Sequence, residues 1–450
     1  MGAKLLICSL LFASTANAQP GSLDITFNPG TGASQGISSI AIQTNGQILI
    51  GGNFTTVNGI TNENVARLNS DGSVDTSFNT GRGTLGINCI ASQSDGKVLI
   101  GGSFNSQNGN PSSGVERLRT DGSIDISFQP ATGSGTIAIN ALSIQNDGKI
   151  LVAGYVSLSS GTNVAVARFN SDGSLDSSFN GGASPPVSQV TGMVLQPNGQ
   201  ILVAAAVISA TGINRTNVAR LNSDGTIDTT FMADPIAGSP GQISCLLGLT
   251  NGQVVIGGYF ATINGYTRQG IARLNIDGTL DTQFGRPYSP SNPSISAMAL
   301  QSNGDVLIVG ASGVNPIRLT TNGLNDASFS PGAGANEQIL AMAVQPDGKT
   351  LIGGSFFSYN GTNISRIARL NGDNPASTNL QFLAPNLYFG MYLQGTVSNT
   401  YRVEWTSKLS TPSLWTPLTN VILKTNPQFI LDTNPAGGGG QRFYRSVALP

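Results

Sequence analysis

The chain has 450 residues, 22 of them basic and 23 acidic, with no histidine. Only 10% of residues are charged, so there is no Lys/Arg cluster of the kind that displaces counterions from nucleic acid. Without an imidazole, Ser-His-Asp and Cys-His catalysis in their usual form, histidine zinc sites and the commonest general base are excluded.

The first segment, "MGAKLLICSLLFASTANAQ", has the parts of a secretory signal. Lys4 supplies the positive start, Leu5 to Ala13 the apolar run, and Ala16-Asn17-Ala18 a small-residue cleavage site before Gln19. The run is too short to span a bilayer, and no later segment is long and apolar enough. Cys8 lies inside the run, before the small-residue site, which argues against a lipid anchor. The expectation is a signal peptide over 1–18 and an exported product, secreted or at the cell surface, with no membrane span.

Internal repeats dominate the chain beyond this segment. Asn45-Gly46, Asp95-Gly96, Asp147-Gly148, Asn198-Gly199, Asn251-Gly252, Asn303-Gly304 and Asp347-Gly348 recur at spacings of 50, 52, 51, 53, 52 and 44. Each precedes a run such as "QILIGG" or "KVLIGG", apolar on successive residues, which predicts a strand covered on both faces. In the first repeat an inner strand "ISSIAIQ" (37–43) leads through a two-residue turn to a middle strand "QILIGGNF". A longer loop leads to a third strand "NVARLN", and a second tight turn at Asp71-Gly72 to a fourth, "SVDTSF". Four-stranded antiparallel units at this period predict an all-β, seven-bladed β-propeller.

The segment "SLDITF" (22–27) precedes the first complete repeat, whereas the last stops at "RLNGD" (369–373). The N-terminal segment is therefore expected to complete the seventh blade beside "RIARLN" (366–371), so that no blade edge is left unfinished. Arg67, Arg117, Arg168, Arg220, Arg273, Arg318 and Arg369 share one register. Asp75, Asp125, Asp176, Asp228, Asp281, Asp326 and Asp24 share the register across the turn, so each Arg is expected to face an Asp. The pair Asp24 and Arg369 would bridge the seam.

The unit "DGKILIGGxF…ARLNxDGSLDxSF" resembles the delta-60 repeat, a β-propeller repeat of exported, mainly bacterial proteins. The resemblance covers residues 20 to 374 and implies fold and export; it brings no catalytic residues. The sixth unit departs most, with "DVLIVGAS", a connection shortened to "GVNP", and Asn322 in place of the turn Asp. After the signal only Cys89 and Cys245 remain. They share a register with Ser39, Ala141, Gly192, Ala297 and Ala341 and read as small core residues, too far apart for a disulfide.

Residues 19–374 thus form the expected propeller, 375–379 a linker and 380–450 a second module. "TYRVEWTS", "WTPLTNVIL", "PQFILDT" and "RFYRSVALP" predict a small β-sandwich similar to fibronectin-III-like modules, with Trp405 and Trp415 expected in its core.

Chemistry is sparse. "NSDGSVD" matches part of a calcium loop, but Arg67 falls at the first ligand position and Phe78 replaces the terminal Glu. A tight hairpin is the better reading, and neither metal nor cofactor is expected. The tight turns make one face of the disc uniform, while the longer connections carry the variation. On that variable face Tyr266, Arg268, Arg286, Tyr288 and Tyr359 form a candidate ligand-binding patch for a glycan or cell-envelope protein, with little beyond Arg82 and Arg215 in the first four repeats. A polar register, Ser38, Asn88, Asn140, Thr191, Ser244 and Ser296, would line the axial channel. These observations favour a non-enzymatic binding or surface scaffold. The alternative is a carbohydrate-active enzyme using carboxylates on the variable face.

Overall fold

In the computed structural model the glycines of the seven repeated dipeptides, Gly46 to Gly348, lie at φ between 82° and 87°, while the preceding Asn or Asp does not. The turn is therefore not the two-residue primed type expected. It is a three-residue loop, Thr44-Asn45-Gly46 in the first repeat, closed by Gln43 N–H donating to Gln47 O at 2.8 Å. Asn45 stabilises it by accepting from Gln47 N–H at 3.0 Å.

The structure describes residues 19–449 except 82–85, 105, 108–109, 112–113, 134–136, 181–186, 209–213, 232–235, 238–240, 264, 286–293, 311–314, 374–376, 384–387, 395, 397, 407–414, 425–427 and 433–442. The expected signal peptide lies outside them. No helix occurs among the described residues, and none is long and apolar enough to cross a membrane.

Seven three-stranded antiparallel sheets share one connection, inner to middle to outer. In the first, Ile37–Ile42 pairs with Ile48–Gly52, which pairs with Val65–Leu68. In the last, Ile339–Val344 pairs with Thr350–Gly354, which pairs with Ile367–Leu370. Middle strands are buried on both faces because neighbouring repeats cover them. Ile48 and Ile50 pack with Leu351 and Ile367 of the seventh repeat, whereas Leu49 between them packs with Ile87, Val98 and Ile100 of the second. Alternation along one strand thus feeds two cores. The sheets approach so closely that a Cβ on Gly51 would lie 2.5 Å from Ile90 Cδ1, and one on Gly353 would lie 2.8 Å from Ile37 Cγ2.

The expected fourth strand is not a strand. Val74 makes a single bridge to Leu68, Asp75 N–H donates to Arg67 O at 2.9 Å, and the chain then turns. The Asp75 carboxylate accepts from Ser77 N–H and Oγ–H, a local turn that competes with a strand ladder. The N-terminal segment does the same to the seventh repeat. Leu23 bridges Leu370, Asp24 N–H donates to Arg369 O at 2.8 Å, and Asn371 N–H donates to Ser22 O at 2.8 Å.

Connections between middle and outer strands come in three forms. The first, second, fifth and seventh repeats insert a two-strand hairpin, such as Thr56–Val57 with Ile60–Thr61. In the third and fourth the main strands themselves lengthen, to Ile150–Ser157 and Ile201–Ile208. In the sixth only six residues separate Val306–Gly310 from Ile317–Leu319. At the inserted hairpin tips Asn58-Gly59 and Asn360-Gly361 have two successive positive φ values, the primed turn expected elsewhere.

The repeats form one compact unit, Gly21–Gly372, and Asp373–Pro450 falls in a second. The second holds two three-stranded antiparallel sheets. One contains Ser377–Leu383, Tyr388–Gln394 and Gln428–Asp432; the other contains Thr416–Ile422, Thr400–Thr406 and Phe443–Ala448. Its first strand begins within the stretch expected as linker. Tyr401, Val403 and Leu423 are buried together in it.

Candidate functional site

The charged register of the repeats is a structural device. All seven Arg–Asp pairs form at 2.6–2.8 Å. Each guanidinium also lies over the Phe that ends its segment, 4.6–5.2 Å from the ring centroid. A third contact leaves the repeat: Arg67 Nη1 donates to Thr120 O at 2.7 Å, in the outer turn of the next repeat. Arg117, Arg168, Arg220 and Arg273 do likewise, and Arg369 reaches Ser70 O of the first repeat at 2.6 Å. The carboxylates are held ionised. For Asp75 burial pushes the carboxyl up, but hydrogen bonds from Ser77 and Arg67 outweigh it and hold it at about 2. For Asp24, burial is likewise overcome by Lys349, Thr26 and Arg369, and the carboxyl falls well below the usual range.

One determinant present in the sequence escapes a reading of the Arg and Asp registers alone. In every repeat but the sixth the residue after the inner-turn glycine also contacts the paired Asp, as Gln47 does to Asp75 and Lys149 to Asp176, both at 2.8 Å. Asn-Gly is followed by Gln and Asp-Gly by Lys in every repeat but the sixth, which has Asp305. The turn charge and its neighbour therefore change together, and local neutrality is kept.

The axial register is likewise engaged. Each inner strand carries an irregularity, as between Ile37 and Ser39, that leaves one residue unpaired. In the first four repeats and the sixth that residue donates to the inner strand of the next repeat: Asn88 to Ile139 O at 3.1 Å, Asn140 to Val190 O at 2.8 Å, Thr191 to Ile243 O at 2.9 Å and Ser296 to Ile339 O at 2.8 Å, whereas in the seventh the position is Leu340, whose side chain has no donor. Ser38 reaches Ile87 O in the same way. These side chains join neighbouring repeats. Cys89 and Cys245 are free thiols, and burial pushes Cys245 up to about 12 and raises Cys89 as well. Neither suits a thiolate nucleophile.

The loop-face residues separate. Tyr266 is 49% exposed on the hairpin Thr262–Ile263 with Tyr266–Thr267, and the Arg268 guanidinium lies 6.0 Å from its ring centroid. Arg268 itself is buried, with Nη1 donating to Thr267 O at 3.3 Å. Tyr359 departs from the expected patch. It is 0% exposed, packed with Ala335, Ile339 and Phe356, so its ring meets no ligand at the surface. It follows Ser358 in a two-residue hairpin strand whose alternation turns it inward. Arg286, Tyr288 and Arg82 lie outside the described residues. Among the described residues no three His, Cys, Asp or Glu side chains gather as a metal site. The turn carboxylate Asp71 accepts from Ser73 N–H and Oγ–H, as a hairpin cap does.

In the second unit Trp415 is half-buried, and the side chain of Trp405, also expected in the core, lies outside the described residues. The Trp415 ring stacks with Arg445, whose guanidinium lies 4.4 Å from the centroid, beside Glu404 and Arg402.

Six segments, 43–78, 93–128, 145–179, 196–231, 249–284 and 345–373, match the family model described as domain of unknown function (DUF5122) beta-propeller. No curated protein sequence matches the chain. Among solved structures it is similar to PorZ, a surface component of the type-IX secretion system of Porphyromonas gingivalis. That match has a TM-score of 0.53 and 14% identity over 94% of this chain and 60% of that one. It is also similar to virginiamycin B lyase from Staphylococcus aureus, with a TM-score of 0.52 and 13% identity over 76% of this chain and 97% of that one. At such identities the likeness extends to the fold alone. The chain is a β-propeller repeat protein.

Proposed function

We propose that the chain is an exported, non-catalytic binding or surface scaffold: a seven-bladed propeller closed by its N-terminal segment, followed by a fibronectin-III-like sandwich. The observation that carries this reading is that the charged groups of the repeats are consumed in holding repeats together. The seven paired aspartates and the turn aspartates Asp71, Asp121, Asp172, Asp224 and Asp277 are all lowered. A glycosidase needs the opposite, one carboxylic acid kept protonated near neutral pH.

Closure is supported by the Leu23–Leu370 bridge, the Arg369–Ser70 contact and the packing of Ile37 against the seventh repeat. Export rests on the sequence of residues 1–18. With the repeat interiors committed, recognition falls to the inserted hairpins, and among the described residues Tyr266 is the exposed aromatic of the proposed patch. Glycans and cell-envelope proteins are the proposed partners.

A screen of the full chain against glycans and envelope fractions, repeated with Tyr266→Ala and Tyr288→Ala, tests the patch. Binding that drops about tenfold or more in either variant supports it; binding unchanged in both removes it.

A further inference from the structure

In Thr400–Thr406, Tyr401 and Val403 point into the core with Leu423, so Arg402 and Glu404, one step out of phase, lie on the outer face of the sheet. Arg445, on Phe443–Ala448, stands directly opposite Glu404. Arg402 Nε donates to Glu404 Oε1 at 2.7 Å; Arg445 donates to Oε2 through Nε at 2.7 Å and Nη2 at 2.6 Å. The Glu404 side chain is 4% exposed, yet those of Arg402 and Arg445 remain 38% and 46% exposed. Trp415, half-buried, flanks Arg445.

Sandwich stability does not call for this arrangement. Taking a carboxylate out of water costs several kcal/mol before its partners offset it, and the outer face of a sheet has no need to do so. What the cluster achieves is to fix two guanidiniums beside each other. One carboxylate against two guanidiniums leaves one positive charge, and the guanidinium donors not used by Glu404 have no protein acceptor among the described residues. Guanidiniums held in this way are preorganised to donate paired bonds from their remaining N–H groups to a further oxyanion, carboxylate or sulfate. The part of the indole not covered by Arg445 adds apolar surface beside them for a sugar ring to pack against. Residues 373–450 carry five basic and three acidic side chains, whereas 21–372 carry 16 basic and 20 acidic, so a polyanion is drawn to the second unit and not to the first.

We infer that the outer face of the second unit is a binding site for an acidic polysaccharide, with its carboxylate or sulfate group on Arg402 and Arg445 and its sugar ring against Trp415. This site is independent of the hairpin patch at Tyr266.

Affinity electrophoresis of the full chain in polygalacturonate, dextran sulfate and neutral dextran tests it. Retardation by at least one of the two anionic polymers and none by dextran is expected, weakening as salt rises from about 0.05 to 0.2 M. The responding polymer tells carboxylate from sulfate. Arg402→Gln and Arg445→Gln should each weaken binding tenfold or more, and Trp415→Ala should weaken it with the charge unchanged. Arg119→Gln, the same loss of charge on an exposed arginine of the repeats, should leave binding within twofold, as should Tyr266→Ala. If Arg445→Gln disturbs the fold, Arg445→Lys gives the reading: charge kept, fork lost, and binding below wild type. The site is overturned by no retardation in either anionic polymer, by equal retardation in dextran, by unaltered binding in both arginine variants, or by equal loss in Arg119→Gln. Loss of polyanion binding in Tyr266→Ala would move the site to the hairpins and overturn it too.

Discussion

Arg369 Nε lies 2.7 Å from Asp24 Oδ2 although 345 positions separate the two residues in the chain. Lys349 Nζ shares the same carboxylate oxygen at 2.8 Å, and Phe27 lies under the guanidinium. The other six repeats make this pair within one hairpin; here it joins the two ends of the repeat array.

Charge reversal tests the pair. Asp24→Arg brings a third positive group against Arg369 and Lys349 at a site only 4% exposed. Breaking a buried pair costs about 3–5 kcal/mol, so the melting temperature should fall by several degrees. Arg369→Asp in that background should restore part of the loss, since the contacts to Ser70 O and Phe27 stay broken. No recovery would show that the two side chains do not act on each other.

Acid should weaken the fold late. The repeat aspartates, such as Asp75 and Asp228 at about 2, are depressed below their unfolded value of 3.8. A depressed folded value means that the stabilisation is complete above the unfolded value and is lost as pH falls from about 4 towards 2. With no histidine, no side chain of ordinary pKa titrates between pH 5 and 8. Thermal melts at pH 8, 7, 6, 5, 3 and 2 should be flat down to 5 and then drop; a step between 5 and 8 would contradict this.

The Tyr359 hydroxyl is buried with no hydrogen-bond partner among the described residues, and burial pushes it well above the usual phenol range. Tyr359→Phe removes an unsatisfied group while keeping the ring. Urea unfolding should show it neutral or stabilising by up to about 1 kcal/mol, against a loss of about 3–5 kcal/mol for Tyr359→Ala. A loss above about 1 kcal/mol in the Phe variant would mean that the hydroxyl has a role.

Gly51 and Gly46 should fail for different reasons. Gly51→Ala drives a methyl to within 2.5 Å of Ile90 in the neighbouring sheet, an overpacking that costs about 1–3 kcal/mol. Gly46→Ala meets nothing within 4 Å but is strained at φ 84°, for about 1 kcal/mol. Denaturant melts of the two single variants that come out in reverse order would argue against such close sheet contact.

Much of the fold is legible because the same signals recur seven times. The Arg and Asp registers, the doubly covered middle strands and the tight turns all follow from spacing and alternation. The fourth strand is suggested by "SVDTSF", which has strand composition, while Asp75 and Ser77 make a competing turn that only their side-chain bonds reveal. The inter-repeat contacts of Arg67 and Asn88 depend on how closely neighbouring sheets approach, which no single repeat specifies. At the candidate site Tyr266 and Tyr359 look alike in the sequence as hairpin tyrosines. Tyr359 lies on the first strand of its hairpin, where Val57 and Ile263 are buried as well, whereas Tyr266 lies on the second strand opposite Ile263, where Ile60 and Thr362 are exposed too.

The proposed closure is tested most directly by a cross-link. Leu23 and Leu370 face each other as a bridge flanked by the bonds Asp24 N–H to Arg369 O and Asn371 N–H to Ser22 O, the narrow type of antiparallel pair that suits a disulfide. In a background with Cys89→Ala and Cys245→Ala, the double variant Leu23→Cys, Leu370→Cys should oxidise to a single intramolecular disulfide. Its mobility should rise on non-reducing gels and its melting temperature should increase. Two free thiols after oxidation, or cross-linking between molecules only, would contradict a ring closed by its own N-terminal segment.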